Sequence, residues 1–289
     1  MTPEPVTAVA AATAAQPAAA EPGFWSRSRR HPSFMLGGVL TLLFIGVDWV
    51  NKGGPVAALS LLWTPWPATE IDVPNKLALP SAAHWLGTDS LGRDIVSQLL
   101  VGARTSILVG VVAVLIGLAC GVALGCLASA RRGWVEEAVM RLADFTFAFP
   151  ALLSAIMLGA IYGPGLATAI VAIGIFNIPV FARTARATAN AVWSREYVLA
   201  ARAAGAGPWR ITLDHVLPNI AGVLIVQATV QFATAILAEA ALSYLGLGTQ
   251  PPTPSWGRML NEAQTQMFQA PQLAVWPGAA IALAVLGLN

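Results

Sequence analysis

Groups that could transfer protons, attack a substrate or hold a metal are few and scattered in this 289-residue chain. The three histidines, His31, His84 and His215, lie in separate segments, and no metal cluster or catalytic triad can be assembled from them. Cys120 and Cys126 share one apolar stretch, six residues apart and so on different helix faces, where they act as small apolar side chains. Hydrolysis of ATP needs G-x4-G-K-[S/T], whose lysine reaches the phosphates. Lys52 and Lys76 are the only lysines, and neither sits in such a pattern. The chain is therefore expected to be no enzyme, with no metal site and no cofactor of its own.

The remaining polar residues have helical spacing. Gln227, Gln231 and Thr234 recur at i, i+4 and i+7, so one face of that helix is polar. Such a face either lines a water-filled path or bonds to a neighbouring helix. Glu239 follows on the same stretch. A carboxylate at the bilayer centre costs about 3 kcal/mol, so it should face protein or water. It is expected either to line an outer gate or to hold a nearby loop. Ala113, Gly117, Gly121 and Gly125 form a stripe four residues apart that permits close helix crossing, with a partner chain or within this one. Asp144 is expected near an interface, with Arg141 as its local partner.

A further pattern lies between Arg195 and Asn219. Glu196 to Ala204 is helical by propensity. Tyr197, Ala200, Ala201 and Ala204 fall on one face, small enough for another protein's backbone to approach. Gly205 supplies a stop and Pro208 suits the first turn of a second short helix. Pro218 suits the start of the next long one. This predicts a short helix, a sharp turn and a second short helix.

The elements that must position these residues follow from composition. Hydrophobic residues make up 56% of the chain and charged residues 10%, against about 25% charged in soluble domains. A soluble fold could hardly cover its surface at that charge level. Net charge is only +2, so there is no global basic field for nucleic acid. The fold class is all-α: a polytopic membrane protein of about six transmembrane helices. The expected spans are residues 34–50, 106–130, 143–162, 165–181, 220–245 and 273–289. Residues 1–23 read as a disordered tail and 24–33 as a basic, aromatic anchor toward membrane lipid. Eleven basic residues fall on one side of this topology and five on the other, which puts the N-terminus and the 183–219 loop in the cytoplasm.

The 195–219 segment resembles the "EAA" loop of the inner-membrane permease subunits of bacterial ABC importers, of the dipeptide, oligopeptide and nickel type. The general pattern is Glu-Ala-Ala, three residues, Gly, nine residues, Ile, one residue, Leu-Pro. Ala200, Ala201, Gly205, Leu217 and Pro218 fit it, while Leu199 replaces the Glu and His215 the Ile. Two further blocks are similar to the peptide-importer subgroup. One runs from His84 through Asp89, Arg93 and Asp94 to Ser106; the other runs from Glu239 through Gly246 and Gly248 to Trp256-Gly257. The resemblance implies a type I ABC importer permease fold in a bacterial inner membrane. Glu196, Tyr197, Ala200, Ala201, Arg202, Ala203, Gly205, Arg210, His215, Leu217 and Pro218 would couple this chain to an ATPase. It implies a second homologous permease as a heterodimer partner, two ATP-binding subunits that hold ATP and Mg, and an extracytoplasmic substrate-binding protein. Peptides are the expected cargo, with nickel chelates and glutathione-type peptides as alternatives. A self-sufficient secondary transporter would instead need ionisable groups at the midplane, which the spans offer sparingly.

Overall fold

The computed structural model describes residues 63–288, so the expected tail, basic anchor and first apolar stretch lie outside the described residues. Among the described residues every regular element is helical, and the only strand-like pairing is one bridge between Thr88 and Asp94.

Helix α1, Ile95–Arg131, starts earlier than the expected span because Asp94 caps it, accepting the Ser97 backbone N–H. Its 37 residues rise about 1.5 Å each and exceed a hydrocarbon core of about 30 Å. Arg132 and Gly133, with φ of 42° and 62°, turn the chain out of it. The single span expected over 143–162 is instead two helices, α2 (Trp134–Ala148) and α3 (Ala151–Tyr162), bent by 82°. The cause is local. Pro150 has no N–H and forces Phe149 into extended backbone, φ −95° and ψ 133°. Helix α4, Leu166–Trp193, runs past the expected end at Phe181, since its Ala- and Arg-rich continuation contains no breaker.

After α5 (Glu196–Ala203) and α6 (Pro208–Ile211), the structure departs from the expected separate helix. Helix α6, a π-turn at Thr212–Val216 and α7 (Leu217–Tyr244) form one 37-residue run. The helix accommodates Pro218 by widening. The Leu217 N–H bonds to the Thr212 carbonyl, five residues back, and Asn219 Nδ2 donates to the His215 carbonyl at 2.6 Å. Helices α8 (Trp256–Ala263) and α9 (Gln272–Leu288) complete the chain. Helices α1, α4 and the 208–244 run are long and apolar enough to cross a membrane, the bent pair α2–α3 makes a fourth candidate, and α9 is a shorter apolar helix.

The core lies where α1 meets α4. A Cβ added at Gly117 would sit 2.3 Å from Asn177 Cβ. At Gly121 it would sit 2.5 Å from the Ile178 carbonyl, and at Gly125 2.4 Å from the Ala182 carbonyl. The small stripe is thus filled by a helix of the same chain. Around it pack Ala113, Phe181, Ala185 and Ala189, all fully buried. A second apolar cluster, built on Ile95, Ile236 and Trp256, joins α1, α7, α8 and α9.

Candidate functional site

Three arrangements carry the polar residues. The first is the turn between α5 and α6. The Gly205 N–H bonds to the Arg202 carbonyl and the Ala206 N–H to the Ala201 carbonyl. This is the six-to-one and five-to-two pairing of a Schellman stop, with Gly205 at φ 85° where a side chain would be strained. Ala201 and Ala206 pack on the core beneath, and Val198 is fully buried. Ala201 therefore turns inward, whereas the sequence put it on an exposed face with Tyr197, Ala200 and Ala204. An alanine-rich helix gives little signal of which side is buried, and Val198 decides it. What remains outward is Glu196, Tyr197, Leu199, Ala200, Arg202 and Ala203, continued by Trp209, Arg210 and Leu213. Tyr197 and His215 meet edge to face at 6.1 Å, bridging α5 to the π-turn. Leu217 is half-buried and Pro218 exposed.

The second arrangement is a cavity of 610 Å³ at the α2–α3 elbow, closed by α4 and α7. Its volume is that of a small-molecule site. Its walls are apolar, including Phe147, Phe149 and Phe176, and its polar groups are neutral: Asn177, Gln231 and Thr234. Thr234 Oγ1 donates to Gln231, whose Oε1 lies 2.9 Å away. Gln227 is half-buried on the same helix but outside this lining. Asn177 was not singled out from sequence, although it is an amide in the middle of an apolar run. Its buried Nδ2 has no hydrogen-bond partner. Beside the elbow, Asp144 pairs with Arg183 of α4, and Arg141 with Glu137. The expected Arg141–Asp144 pair does not form, because α4 extends far enough to bring Arg183 alongside.

The third arrangement lies at the opposite end and unites the other two sequence blocks. Asp89 accepts the backbone N–H groups of Leu91 and Arg93 through Oδ1, and Arg93 Nε and Gln98 Nε2 through Oδ2. Arg93 reaches on to Glu262, which also holds Arg258 at 2.9 Å. Burial by itself lowers the Arg93 pKa, but the carboxylates of Asp89 and Glu262 outweigh it and hold the group above its ordinary value. Asp94, besides capping α1, lies 3.0 Å from His84 Nδ1. Trp256 is fully buried, and its Nε1–H donates to the Leu99 carbonyl at 3.0 Å. Trp63, Trp66 and Trp85 remain exposed. Glu239 is fully buried with its carboxylate held by Ser106 at 2.9 Å, Ser243 at 2.6 Å and Thr249 at 3.3 Å. The Thr249 backbone N–H bonds in turn to Ser243 Oγ. Glu239 thus ties α1 to the turn that follows α7.

Residues 114–289 match the family described as the binding-protein-dependent transport system inner membrane component. A glutathione transport system permease protein GsiD of Pectobacterium atrosepticum is 40% identical over 92% of this chain and 86% of its own length. The Escherichia coli protein of the same name is 43% identical over 92% of this chain and 85% of its own. Among solved structures, a chain of the inward-facing MetNI methionine ABC transporter aligns with a TM-score of 0.55 at 19% identity, covering 65% of this chain and 89% of that one. Apolar helices among the described residues, a family match over most of their length and relatives at this identity have one reading: the chain belongs to the inner-membrane permease subunits of binding-protein-dependent ABC importers.

Proposed function

We propose that this permease carries glutathione or similarly small peptides, with ATP hydrolysed on partner subunits. The carrying observation is the elbow cavity, which offers amides and a hydroxyl but no charged side chain. Neutral donors and acceptors suit a peptide backbone without trapping it. The names of the two relatives point to the same cargo class. In this reading the outward face of α5 and the Trp209–Leu213 surface dock on an ATPase, a homologous permease pairs with this chain, and a binding protein delivers cargo from outside. The clustering of arginines at the α5 end supports a cytoplasmic placement of that end and of the N-terminus.

The test is ATP-driven uptake into proteoliposomes holding the complete importer, with labelled glutathione, a dipeptide and a nickel chelate compared. Uptake of glutathione or the dipeptide over the chelate is expected. Preference for the chelate, or uptake without ATP, overturns the reading. Ala200→Glu tests docking, because Ala200 is exposed and Ala201 is not. It should insert normally and lose uptake, and unchanged uptake would remove α5 from the coupling surface.

A further inference from the structure

The arginines at the α5 end divide by what they hold. Arg183, Arg186, Arg141 and Arg210 each hold a carboxylate. Arg131, Arg132 and Arg202 do not, and all three line one pocket of 330 Å³ between the end of α1, the end of α4 and the α5–α6 turn. No acidic side chain lines it. Its wall includes Trp193, nine-tenths buried, whose Nε1–H has no hydrogen-bond partner. The rest of the wall is Ser129, Ala130, Ala206, Pro208 and Ile211.

Three arginines and a tryptophan with an unpaired indole N–H line one pocket, and no carboxylate among its lining answers them. A buried N–H is ordinarily paired, so an orphan here marks a place for an acceptor. Guanidinium forks match phosphate oxygens two at a time, which a carboxylate-free pocket leaves available. The position is also telling. Arg131 and Arg132 directly follow the apolar stretch 106–130, where a span of that stretch would meet the lipid headgroups, and half the pocket wall is apolar. Basic pockets between helices on that side of a membrane are suited to anionic headgroups.

We infer that this pocket binds a phosphate group, and that its source is the headgroup of an anionic phospholipid. Bound there, one phosphate would bridge Arg131 and Arg132 of the span end to Arg202 of α5. It would fix the α5–α6 turn against α1, making the set of that turn depend on lipid composition.

The experiment uses the complete importer purified into detergent, stripped of loosely held lipid and analysed by native mass spectrometry. Cardiolipin, phosphatidylglycerol and phosphatidylcholine are added back in separate arms, and inorganic phosphate is titrated as a competitor. Retention of cardiolipin or phosphatidylglycerol over phosphatidylcholine is expected. An Arg131→Gln, Arg132→Gln, Arg202→Gln variant should lose about tenfold in retention. Trp193→Phe keeps an aromatic six-membered ring and removes the N–H with the five-membered part of the indole, leaving the arginines in place, so it remains informative where the triple variant fails to assemble. It should weaken retention several-fold. Displacement by millimolar inorganic phosphate without lipid preference would make free phosphate the ligand and overturn the lipid assignment. Equal retention in wild type, triple variant and Trp193→Phe would overturn the site. So would loss of ATPase subunits from the triple variant with lipid retention unchanged, since the arginines would then be partners of ATPase carboxylates.

Discussion

Replacing Asp89 by alanine should destabilise the 84–94 loop more than replacing its ion-pair partner Arg93. Asp89 accepts four hydrogen bonds at 2.6 to 2.9 Å, from Leu91, Arg93 twice and Gln98. Asp89→Ala strands the Gln98 amide, which is 2% exposed. It also leaves the Arg93 guanidinium, 8% exposed, with Glu262 alone. Breaking a buried pair by removing one partner costs about 3–5 kcal/mol. Arg93→Ala leaves Asp89 with three donors and Glu262 with Arg258. That loss is one charge-assisted bond per carboxylate, about 3 kcal/mol altogether at about 1.5 kcal/mol each, against four bonds lost in Asp89→Ala. Hydrogen exchange on the purified complex reads both, through the opening free energy of amides in 87–95 and in α8. The expected difference between variants is about 1–2 kcal/mol, or roughly five- to thirtyfold in exchange rate. Equal effects, or a larger one from Arg93→Ala, would refute the idea that Asp89 is the hub and Arg93 one of its spokes.

Gly121→Ala should separate α1 from α4, because its Cβ would lie 2.5 Å from a backbone carbonyl that cannot rotate away. The cost is about 1–3 kcal/mol, read as a lowered thermal midpoint, and an unchanged midpoint would mean the helices are looser than described. Glu239→Gln keeps a bonding group among Ser106, Ser243 and Thr249 and should be mild. Glu239→Leu orphans hydroxyls in a fully buried pocket and should cost about 3 kcal/mol or more. Comparable folded yields for the two would show that the carboxylate does not hold that turn. Trp256→Phe removes the N–H bond to the Leu99 carbonyl and leaves a small cavity, about 1–3 kcal/mol, whereas Trp256→Ala opens a larger one worth about 3–5 kcal/mol. Thermal midpoints of the two should differ accordingly.

Local backbone rules were the most legible part of the chain. Gly205 as a stop and Pro208 as a start follow from φ and a missing N–H, and both hold. The Gly117–Gly125 stripe was readable as a close crossing, but its partner was not, since spacing says nothing about which helix fills the gap. Hydropathy marks an apolar run without giving its angle, so the elbow at Pro150 passed as part of one span. Pairings across long separations, such as Arg183 with Asp144 or Arg93 with Glu262, depend on how far helices extend and how they pack. Asn177 became visible only when its surroundings showed an amide without a partner.

The unbroken helix from Pro208 to Tyr244 also has a mechanical consequence. At about 1.5 Å per residue it is a rod of roughly 56 Å. A body pressing on the exposed side chains of Trp209 or Leu213 pushes on one end of that rod. No loop along its length absorbs the displacement, and the widened turn at Thr212–Val216 is its one compliant point. The far end carries Glu239 and the turn anchored to Ser106, so a tilt imposed below is delivered to α1 as strain above. Lengthening the π-turn by a residue would rotate everything beyond it by about 100° and disconnect the two ends without touching either.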